Sequence, residues 1–251
     1  MTEPTVDHRD SDEHLGARRT AGTVLVLCGG GLPHPMLVVP PADVVVAADS
    51  GADQAAALGL RVDVLVGDLD SIGPATLATL REEGTEVQQH PPDKDATDVE
   101  LALAAAVDMA PARIVMIGGH GGRLDHALAT MGALSAVATP GRAVEAWMGP
   151  ALVQVTADDV SISGRPGELV SLVPIGGPVQ GVTTAGLRWP LVLATLAAGS
   201  TRGVSNELVA DRARVMVSRG ALAVVRPHAL DPGGDHRASV PDRPLPEEPT
   251  P

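Results

Sequence analysis

The sequence predicts an α/β protein in which a parallel-sheet, Rossmann-like N-terminal domain precedes an antiparallel β-sandwich domain. In the first half, short Val-rich runs alternate with longer Ala/Leu-rich segments, which is the pattern of βαβ units. After Gly149 the helical periodicity fades, and short strand-like runs punctuated by Gly and Pro take over. The chain has no Phe, no Tyr and only 2 Trp, so Val, Leu and Ala must fill the core.

The first half is predicted to alternate strands with helices. The strands are expected at Val24–Cys28, Val44–Ala48, Val62–Val66, Glu86–Gln89, Ile114–Ile117 and, closing the sheet, Ala143–Met148. The helices are expected at Asp53–Leu58, Pro74–Glu83, Asp98–Met109 and Leu124–Ala138. The spacing of Thr97 and Glu100 fits a capping box at the start of the third helix.

The second half is predicted to consist of short strands. These are expected at Leu152–Thr156, Val160–Ser163, Leu169–Ile175, Val215–Ser218 and Ala221–Val225. We place the boundary near residues 147–150, which gives an α/β domain over 21–148 and a β-sandwich domain over 149–228. The charged residues 1–20 and the Pro-rich residues 229–251 offer little to pack, so both are predicted to be mobile tails.

Composition excludes several classes of protein. The net charge of -13 argues against a nucleic-acid partner, because binding phosphate backbones needs clustered cations. A single cysteine, Cys28, cannot form an intramolecular disulfide and fits a reducing compartment. The charged N-terminus does not resemble a signal peptide, and no apolar stretch is long enough to predict a membrane span. We therefore expect a cytoplasmic protein.

Acidic residues follow the predicted parallel strands. Asp49 comes after the second strand, Asp68 and Asp70 after the third, and the run that ends in Asp98 after the fourth. Ligands of open α/β sheets bind beyond the carboxyl ends of the strands, so these carboxylates should share one crevice. Crowded carboxylates repel one another, and Mg²⁺ with its preference for oxygen ligands relieves that repulsion.

Phosphate-binding features are predicted at the same edge. The first strand runs into Gly29–Gly31, where Gly30 lets backbone N–H groups approach an anion closely. Arg123, at the start of a predicted helix, can bind phosphate oxygens through a bidentate fork. Together with the carboxylates, these groups predict a site for Mg²⁺ and a nucleoside triphosphate.

Structural roles compete with these functional ones. Asp98 can serve as a first-turn acid favoured by the helix dipole, and Asp125 can do the same in the fourth helix. Lys94 is the only lysine, and inside an acidic loop it fits a structural ion pair as well as a phosphate contact. For Asp68 and Asp70 we favour function, because two acids directly after a buried strand exceed what a turn needs.

Six segments, taken together and in order, resemble the thiamine pyrophosphokinase (thiamine diphosphokinase) family. They are AADSGAD at 47–53, VGDLDSI at 66–72, DKDATDVELAL at 93–103, GGHGGRLDHALA at 118–129, TTAGLRWPL at 183–191 and GVSNEL at 203–208. The resemblance covers roughly residues 22–228. It implies transfer of the pyrophosphoryl group of ATP to the hydroxyl of thiamine, with release of AMP, by a homodimer whose site lies between subunits.

The resemblance also implies roles for individual residues. Asp68, Asp70 and Asp98 match the Mg²⁺ ligands, Asp49 lies beside them, and these four acids with Arg123 form the expected catalytic set. Contacts to ATP are expected from Gly30, Ser71, Lys94, Arg123, Asp125, Ser205 and Asn206. Trp189 matches a tryptophan that packs on thiamine, near Thr183 and Thr184, with Asp98 also facing the substrate. Asp53 departs from the pattern, since many relatives carry Asn there, and Lys94 stands where some carry Gln.

Three other functions remain open from the sequence. Asp68 and Asp70 also fit an aspartate-dependent phosphohydrolase, although Arg123 and Trp189 would then be unexplained. A catalytically silent sensor of thiamine or nucleotide would keep the pocket without turnover. A pyrophosphokinase acting on another heterocyclic alcohol, such as a pterin, would use the same acids.

Overall fold

The computed structural model describes residues 22–231. The predicted tail at 1–20 lies outside the described residues, as does the predicted tail at 229–251 apart from residues 229–231. Within residues 22–231, no helix is both long and apolar enough to cross a lipid bilayer.

The first half forms a parallel sheet with helices on both faces. Its strands are β1 (Thr23–Cys28), β2 (Val44–Ala48), β3 (Val64–Gly67), β4 (Glu86–Gln89), β5 (Arg113–Ile117) and β6 (Ala143–Met148). Its helices are α1 (Gly51–Ala57), α2 (Pro74–Glu82), α3 (Asp98–Asp108) and α4 (Leu124–Val137). The spatial order is β4-β3-β2-β1-β5-β6, and every neighbouring pair is parallel. The predicted elements of this half are confirmed, with ends that differ by at most two residues.

Both faces of this sheet are buried. In β1, Val24, Val26 and Cys28 belong to one core cluster, whereas Leu25 and Leu27 belong to the other, because successive side chains alternate between faces. The first cluster includes residues of α3 and α4, and the second includes residues of α1 and α2. Strands buried on both faces are apolar throughout, which explains why Val-rich runs located them so well.

The order of the sheet reverses beside β1. This strand pairs with β2 on one side and with β5 on the other, so the chain builds outwards in opposite directions from it. A crevice opens between the loops that leave such neighbouring strands. Here those loops contain Gly29–Gly31 and Gly118–Gly122.

The second half is antiparallel and rich in strands. It contains β7 (Ala151–Thr156), β8 (Asp159–Ser163), β9 (Leu169–Ala185), β10 (Ala194–Leu196), β11 (Gly203–Glu207), β12 (Arg212–Met216) and β13 (Arg219–Arg226). Hydrogen bonding runs without interruption from β6 to β7, which pair antiparallel, and on to β13 and β9. The domain boundary predicted at 148/149 falls in the β6–β7 turn and stays a prediction.

Strand β9 is longer than the predicted Leu169–Ile175, because it continues to Ala185. Gly176 (φ 71°) and Gly177 (φ 155°) redirect the strand instead of ending it. Its first part pairs with β11 and most of β13, and its second part pairs with β10, β12 and, at Gln180, the start of β13. Pairing on both sides of the glycines keeps the chain extended there.

The other differences in this half involve short or polar strands. Strands β10 and β11 are not predicted by the sequence, because β10 has 3 residues and β11 reads Gly-Val-Ser-Asn-Glu. The predicted Val215–Ser218 is wrong in its limits, since β12 starts at Arg212 and ends at Met216. Charged Arg212 and Arg214 alternate there with buried Ala213 and Val215, and this alternation marks a strand with one solvated face.

A further core cluster holds the second half together. It combines residues of the first part of β9 and of β13, such as Leu172 and Leu222, with residues of the second part of β9 and of β12, such as Val182 and Val215. The opposite face of β7 and β13 contributes Val153, Val155 and Ala223 to the cluster under α3 and α4. The two halves of the chain therefore share one of their cores.

Candidate active site

Three carboxylates converge at the carboxyl edge of the parallel sheet. Asp49 follows β2, and Asp68 and Asp70 follow β3. Each contributes one oxygen to a group whose members all lie within 4.8 Å of one another. We call these three residues the acidic cluster. Its geometry suits a hard divalent cation, which binds carboxylate oxygens and completes its coordination with water or phosphate.

The main chain fixes the position of Asp49. Its N–H donates to the carbonyl of Val66 at 2.9 Å, and its φ of 45° is left-handed. At the neighbouring Gly67 (φ 150°), an added Cβ would lie 3.1 Å from Cβ of Asp49 and 3.0 Å from Oδ1 of Asp98. Glycine is therefore required for β2, β3 and α3 to bring their acids together.

Burial disfavours the ionised form of Asp49. Asp49 is only 7% exposed, and its Oδ1 is buried without a hydrogen-bond partner. Burial raises the pKa of Asp49, and the negative charges of Asp98, Asp68 and Asp70 raise it further. A hydrogen bond from Ser71 lowers the pKa but does not cancel these effects. An unpartnered, buried carboxylate oxygen beside two further acids is the environment that a bound cation would stabilise. The acidic cluster therefore fits a divalent cation.

Lys94 neutralises part of this edge. Its ammonium lies 2.8 Å from Oδ2 of Asp68 and 2.9 Å from Oδ1 of Asp98. Burial by itself would lower the pKa of Lys94, but the hydrogen bonds to Asp68 and Asp98 and their negative charges outweigh burial, so the pKa is raised overall. The same contact holds the pKa of Asp68 below its usual range. Lys94 therefore forms the ion pair that the sequence allows, and its other predicted role, a phosphate contact, stays a prediction.

The structure groups the predicted acids in a particular way. The sequence predicts Asp68, Asp70 and Asp98 as metal ligands with Asp49 beside them. The close group contains Asp49 with Asp68 and Asp70, whereas Asp98 lies against Gly67 and pairs with Lys94. Ser71 donates to Oδ1 of Asp70 at 2.8 Å and thereby orients that carboxylate. The predicted ligand set itself stays a prediction.

Two glycine loops lie beside the cluster at the switch point of the sheet. The N–H of Gly119 donates to the carbonyl of Gly29 at 2.9 Å. A Cβ at Gly121 would lie 1.9 Å from the carbonyl oxygen of Gly30, and Gly30 itself has a φ of 89°. The loops therefore contact each other through their backbones, and only glycine fits at Gly121. Exposed backbone N–H groups of such loops are suited to bind phosphate.

Arg123 and Asp125 form a separate pair near these loops. Arg123 precedes α4 as its N-cap residue, and its guanidinium donates to both oxygens of Asp125 at 3.2 and 2.5 Å. Arg123 lowers the pKa of Asp125 to about 2. Both side chains are exposed, so the guanidinium can turn towards a phosphate group without leaving a buried charge behind. Within residues 22–231, no hydrogen bond or ion pair joins either residue to the acidic cluster.

A second group of predicted residues surrounds Trp189 in the β9–β10 connection. Trp189 is 53% exposed. The guanidinium carbon of Arg188 lies 4.9 Å from the centroid of the indole ring, and Nη1 of Arg188 donates to Oε2 of Glu207 at 2.8 Å. The side chain of buried Asn206 accepts from the N–H of Trp189 at 3.1 Å and donates to its carbonyl at 2.8 Å. We call residues 186–193 the Trp189 loop. Asn206 secures this loop to β11.

The predicted hydroxyl groups also hold the Trp189 loop. Thr184 accepts from the N–H of Leu191 at 2.8 Å, and Thr183 accepts from the N–H of Leu193 at 3.0 Å. Ser205 has a left-handed φ of 59°, and its N–H donates to Ser171. Among residues 22–231, no hydrogen bond or ion pair joins this group to the acidic cluster. The structure therefore places the predicted site residues in two main groups, with the Arg123–Asp125 pair apart from both.

Two residues that were not predicted from the sequence lie near the Trp189 loop and the glycine loops. Arg188 stacks on the Trp189 indole, and only its adjacency to Trp189 could have suggested this. His120 belongs to the loop Gly118–Gly122, where its Nδ1 is buried without a partner and its ring is in contact range of Gly31 and Gly149. The sequence places His120 in a glycine-rich run but gives no sign that it is partly buried.

Fold and site together define a class of protein. Carboxylates and glycine loops at the switch point of a parallel sheet are typical of enzymes that transfer phosphoryl groups from nucleotides with the help of a divalent cation. Residues 37–145 match the family model described as thiamin pyrophosphokinase, catalytic domain, and residues 159–222 match thiamin pyrophosphokinase, vitamin B1 binding domain. The chain belongs to the thiamine pyrophosphokinase family, whose reaction is pyrophosphoryl transfer from ATP to thiamine.

Individual relatives agree with this assignment. Thiamine pyrophosphokinase from Bacillus subtilis (strain 168) is 26% identical over 170 residues, which span 64% of this chain and 76% of that protein. Thiamine pyrophosphokinase 1 from Oryza sativa subsp. japonica is 25% identical over 175 residues, and the match spans 62% of each protein, less than two thirds of the rice relative. The crystal structure of the Bacillus subtilis enzyme superposes with a TM-score of 0.70 at 25% identity, covering 81% of this chain and 98% of the other.

Proposed function

We propose that this chain is a thiamine diphosphokinase, which transfers the pyrophosphoryl group of ATP to the hydroxyl of thiamine and releases AMP. The observation that carries the proposal is the acidic cluster, whose oxygens lie within 4.8 Å of one another beside two glycine loops, in a chain of this family. The new bond joins the thiamine oxygen to the β-phosphorus. The bond from the β-phosphorus to the oxygen that stays with AMP breaks, and the hydroxyl proton passes to a base.

Mg²⁺ is the cofactor that we propose for the acidic edge. Asp68 and Asp70 would hold it, with Asp98 and Asp49 as the other carboxylates within reach of the same charge. When bound, the ion neutralises charge on the polyphosphate. Asp98 is our candidate for the base, once Lys94 has moved from its carboxylate to the phosphates.

We assign the remaining ATP contacts to the residues around the crevice. Gly30 offers backbone N–H groups, and Arg123 exchanges Asp125 for phosphate oxygens, since both partners of that pair are exposed. Ser71 donates a hydrogen bond to Asp70 and Lys94 donates one to Asp68, so both would contact a phosphate group bound at the acidic cluster. Asp125, Ser205 and Asn206 complete the proposed set from the family resemblance.

Thiamine would bind at Trp189. The cationic thiazolium ring favours an indole face, and one face of Trp189 is already covered by Arg188. The other face would take the substrate. Thr183 and Thr184 use their hydroxyl oxygens to hold the Trp189 loop, so we assign them a role in shaping the pocket.

We further propose a homodimer with the site between subunits. Within one chain the acidic cluster and the Trp189 loop are not joined by any hydrogen bond or ion pair among residues 22–231. The Trp189 loop also exposes Val192 at 76% and Leu193 at 74%. A second copy would cover this apolar surface and could bring one subunit's Trp189 to the other's acidic cluster.

Two further features that the sequence predicts, a sandwich in the second half and a cytoplasmic location, are also proposed. The core cluster shared by the two parts of β9 supports a sandwich of two antiparallel layers in the second half. Cys28 is fully buried, and burial raises the pKa of its thiol to about 12, so it is inert and needs no oxidising compartment. We propose a cytoplasmic location on that ground together with the family's metabolic substrates.

A product assay tests the function. The protein is mixed with ATP, Mg²⁺ and thiamine, and we expect AMP and thiamine diphosphate in equal amounts. Inorganic phosphate released without thiamine would instead support a phosphohydrolase, and saturable thiamine binding without turnover under any divalent metal would support a sensor. A parallel reaction with a hydroxymethyl pterin tests the remaining alternative, since a faster pterin reaction would overturn thiamine as the substrate.

A further inference from the structure

We propose a second ligand site, for the phosphate group of a small molecule, on the outer face of the C-terminal strands. A cleft of about 310 Å³ lies there between β8, the end of β9 and β12. It is lined by Ser161, Ser163, Ala185, Gly186, Arg212, Ala213 and Arg214. Gly186 also begins the Trp189 loop, but none of the residues to which a contact with the metal, ATP or thiamine is assigned lines this cleft, so the inference does not depend on the proposed function. We call it the Arg212 cleft.

Strand register places four hydrogen-bond donors on one face. In the β8–β12 ladder, Arg212 pairs with Ser163 and Arg214 pairs with Ser161. The alternate residue of β12, Ala213, is buried with the core, so the arginines point outwards. Directly opposed residues have Cβ atoms about 5 Å apart, and residues two apart on a strand are separated by about 7 Å. Four side chains can therefore reach one small ligand.

The charge of this cleft is positive in a strongly acidic protein. Arg214 donates to Oδ2 of Asp159 through both Nε and Nη2, which fixes its orientation but leaves Nη1 available. Among residues 22–231, the side chain of Arg212 makes no hydrogen bond or ion pair. Two guanidinium groups thus face one carboxylate, in a chain with a net charge of -13. An unpaired cation beside a second one is stabilised by an anion.

The donors select a phosphate group. Guanidinium forks match the oxygen spacing of phosphate and carboxylate, but a carboxylate offers only two oxygens to four donors. The terminal oxygens of a phosphate group can accept from both arginines and both serines. The lining between the arginines and serines consists of the small residues Ala185, Gly186 and Ala213. At Gly186 (φ 78°) a Cβ would lie 2.4 Å from the carbonyl oxygen of Arg212, so glycine is needed for the close approach of the two backbones there. The volume of about 310 Å³ is at the lower end for small-molecule pockets, so a phosphate ester fits as well as free phosphate.

The test follows the Nε–Hε signals of arginine by NMR in the full-length, metal-free protein. Inorganic phosphate and ribose 5-phosphate are titrated separately at constant ionic strength maintained with chloride. We expect saturable shifts of the Arg212 and Arg214 signals, assigned by substitution. A higher affinity for ribose 5-phosphate would identify an ester as the ligand, and equal affinities would identify the phosphate group alone. Either result supports the site, whereas shifts that do not saturate, or equal shifts with chloride, overturn it.

Variants separate this cleft from other anion sites. We expect Arg212→Gln to weaken phosphate binding at the Arg214 signal by about tenfold, the loss typical of one charge-assisted hydrogen-bonding group. Ser163→Ala should weaken it by a smaller factor, and it serves as the second variant if Arg212→Gln does not fold. Arg81→Gln on exposed α2 removes one charge elsewhere, and Arg123→Gln removes the proposed active-site contact; both should leave the Arg214 titration unchanged. Equal affinity in Arg212→Gln and Arg81→Gln would overturn the proposal.

Discussion

The acidic cluster and the Trp189 loop are built by different means. At the acidic cluster the main chain sets the geometry, through the left-handed φ of Asp49, its hydrogen bond to Val66 and the close approach allowed by Gly67. At the Trp189 loop, side chains hold the main chain, because Asn206 and the two threonine hydroxyls bind its N–H groups. The first region is crowded with carboxylates, whereas the second has one charged residue, Arg188, which is paired with Glu207, and exposes Trp189, Val192 and Leu193.

This difference separates two tasks. A metal-bound polyphosphate needs charges at fixed separations, and ends of buried strands supply them with little freedom to move. A flat organic substrate needs an exposed ring that can be covered when the substrate arrives. We therefore expect changes at the acidic cluster to alter turnover, and changes at the Trp189 loop to alter the concentration of thiamine that is required.

The largest effect is expected for Asp70→Asn. Loss of one cluster charge should lower kcat by about 10² to 10³, as removal of one preorganised electrostatic group does elsewhere. The fold should persist, because Asp70 contributes charge and no core packing. Glu100→Gln is the matched control, since Glu100 is an exposed acid two residues beyond Asp98 and outside the cluster. Normal Mg²⁺-dependent turnover of folded Asp70→Asn would contradict the metal role.

Trp189→Ala tests the other region. We expect KM for thiamine to rise by roughly tenfold, which corresponds to loss of a cation–π contact, while KM for ATP changes little. Trp189→Phe should recover much of the loss. Trp147→Phe is the control, because Trp147 packs against the core under α1 and α2. Equal rises in both KM values would remove the stacking role of Trp189.

Lys94→Gln sharpens the comparison within the acidic edge. The ammonium group now occupies the space between Asp68 and Asp98, where it opposes a divalent cation. Its removal should tighten Mn²⁺ binding to the nucleotide-free protein by up to about tenfold. Electron paramagnetic resonance of free Mn²⁺ measures this without turnover. Weaker Mn²⁺ binding would show that Lys94 supports the metal site instead of competing with it.

The smallest effect is expected in the stability of Asp49→Asn. Its raised pKa means that the folded state binds the proton of Asp49 more tightly than the unfolded chain does, so ionised Asp49 destabilises the metal-free fold at neutral pH. Asn tolerates the left-handed backbone and carries no charge. We expect the free energy of unfolding to rise by about 1 kcal/mol at neutral pH. The gain should start to shrink as the pH falls to the folded-state pKa, where wild-type Asp49 takes up its proton, and it should be gone below the unfolded-state pKa, where the carboxyl is protonated in both states.

Urea unfolding of the metal-free protein at several pH values measures this difference. Glu100→Gln again provides the reference, because it should show no comparable gain. A gain for Asp49→Asn that stayed constant as the pH fell would mean that the buried charge is not its cause.

Prediction from sequence succeeded best where structure is local or where topology leaves little choice. The strands of the first half are continuous apolar runs, and Thr97 caps α3 by accepting from the N–H of Glu100 at 3.2 Å, as the spacing predicts. It was weaker in the second half. Glycines in β9 resemble a strand end, and β11 is too polar to stand out, because only pairing with distant strands makes either of them extended.

The sequence by itself determined that acids and glycines follow successive parallel strands, and this is sufficient to gather them at one edge, since parallel strands end on the same side of a sheet. Only the tertiary structure decided which acids lie close enough to hold one cation, that Lys94 bridges Asp68 and Asp98, and that burial leaves one oxygen of Asp49 without a partner. The physical reason is the separation along the chain of the residues that interact. Strand limits follow from neighbouring residues, whereas the distance, burial and charge of a side chain depend on segments far away along the chain.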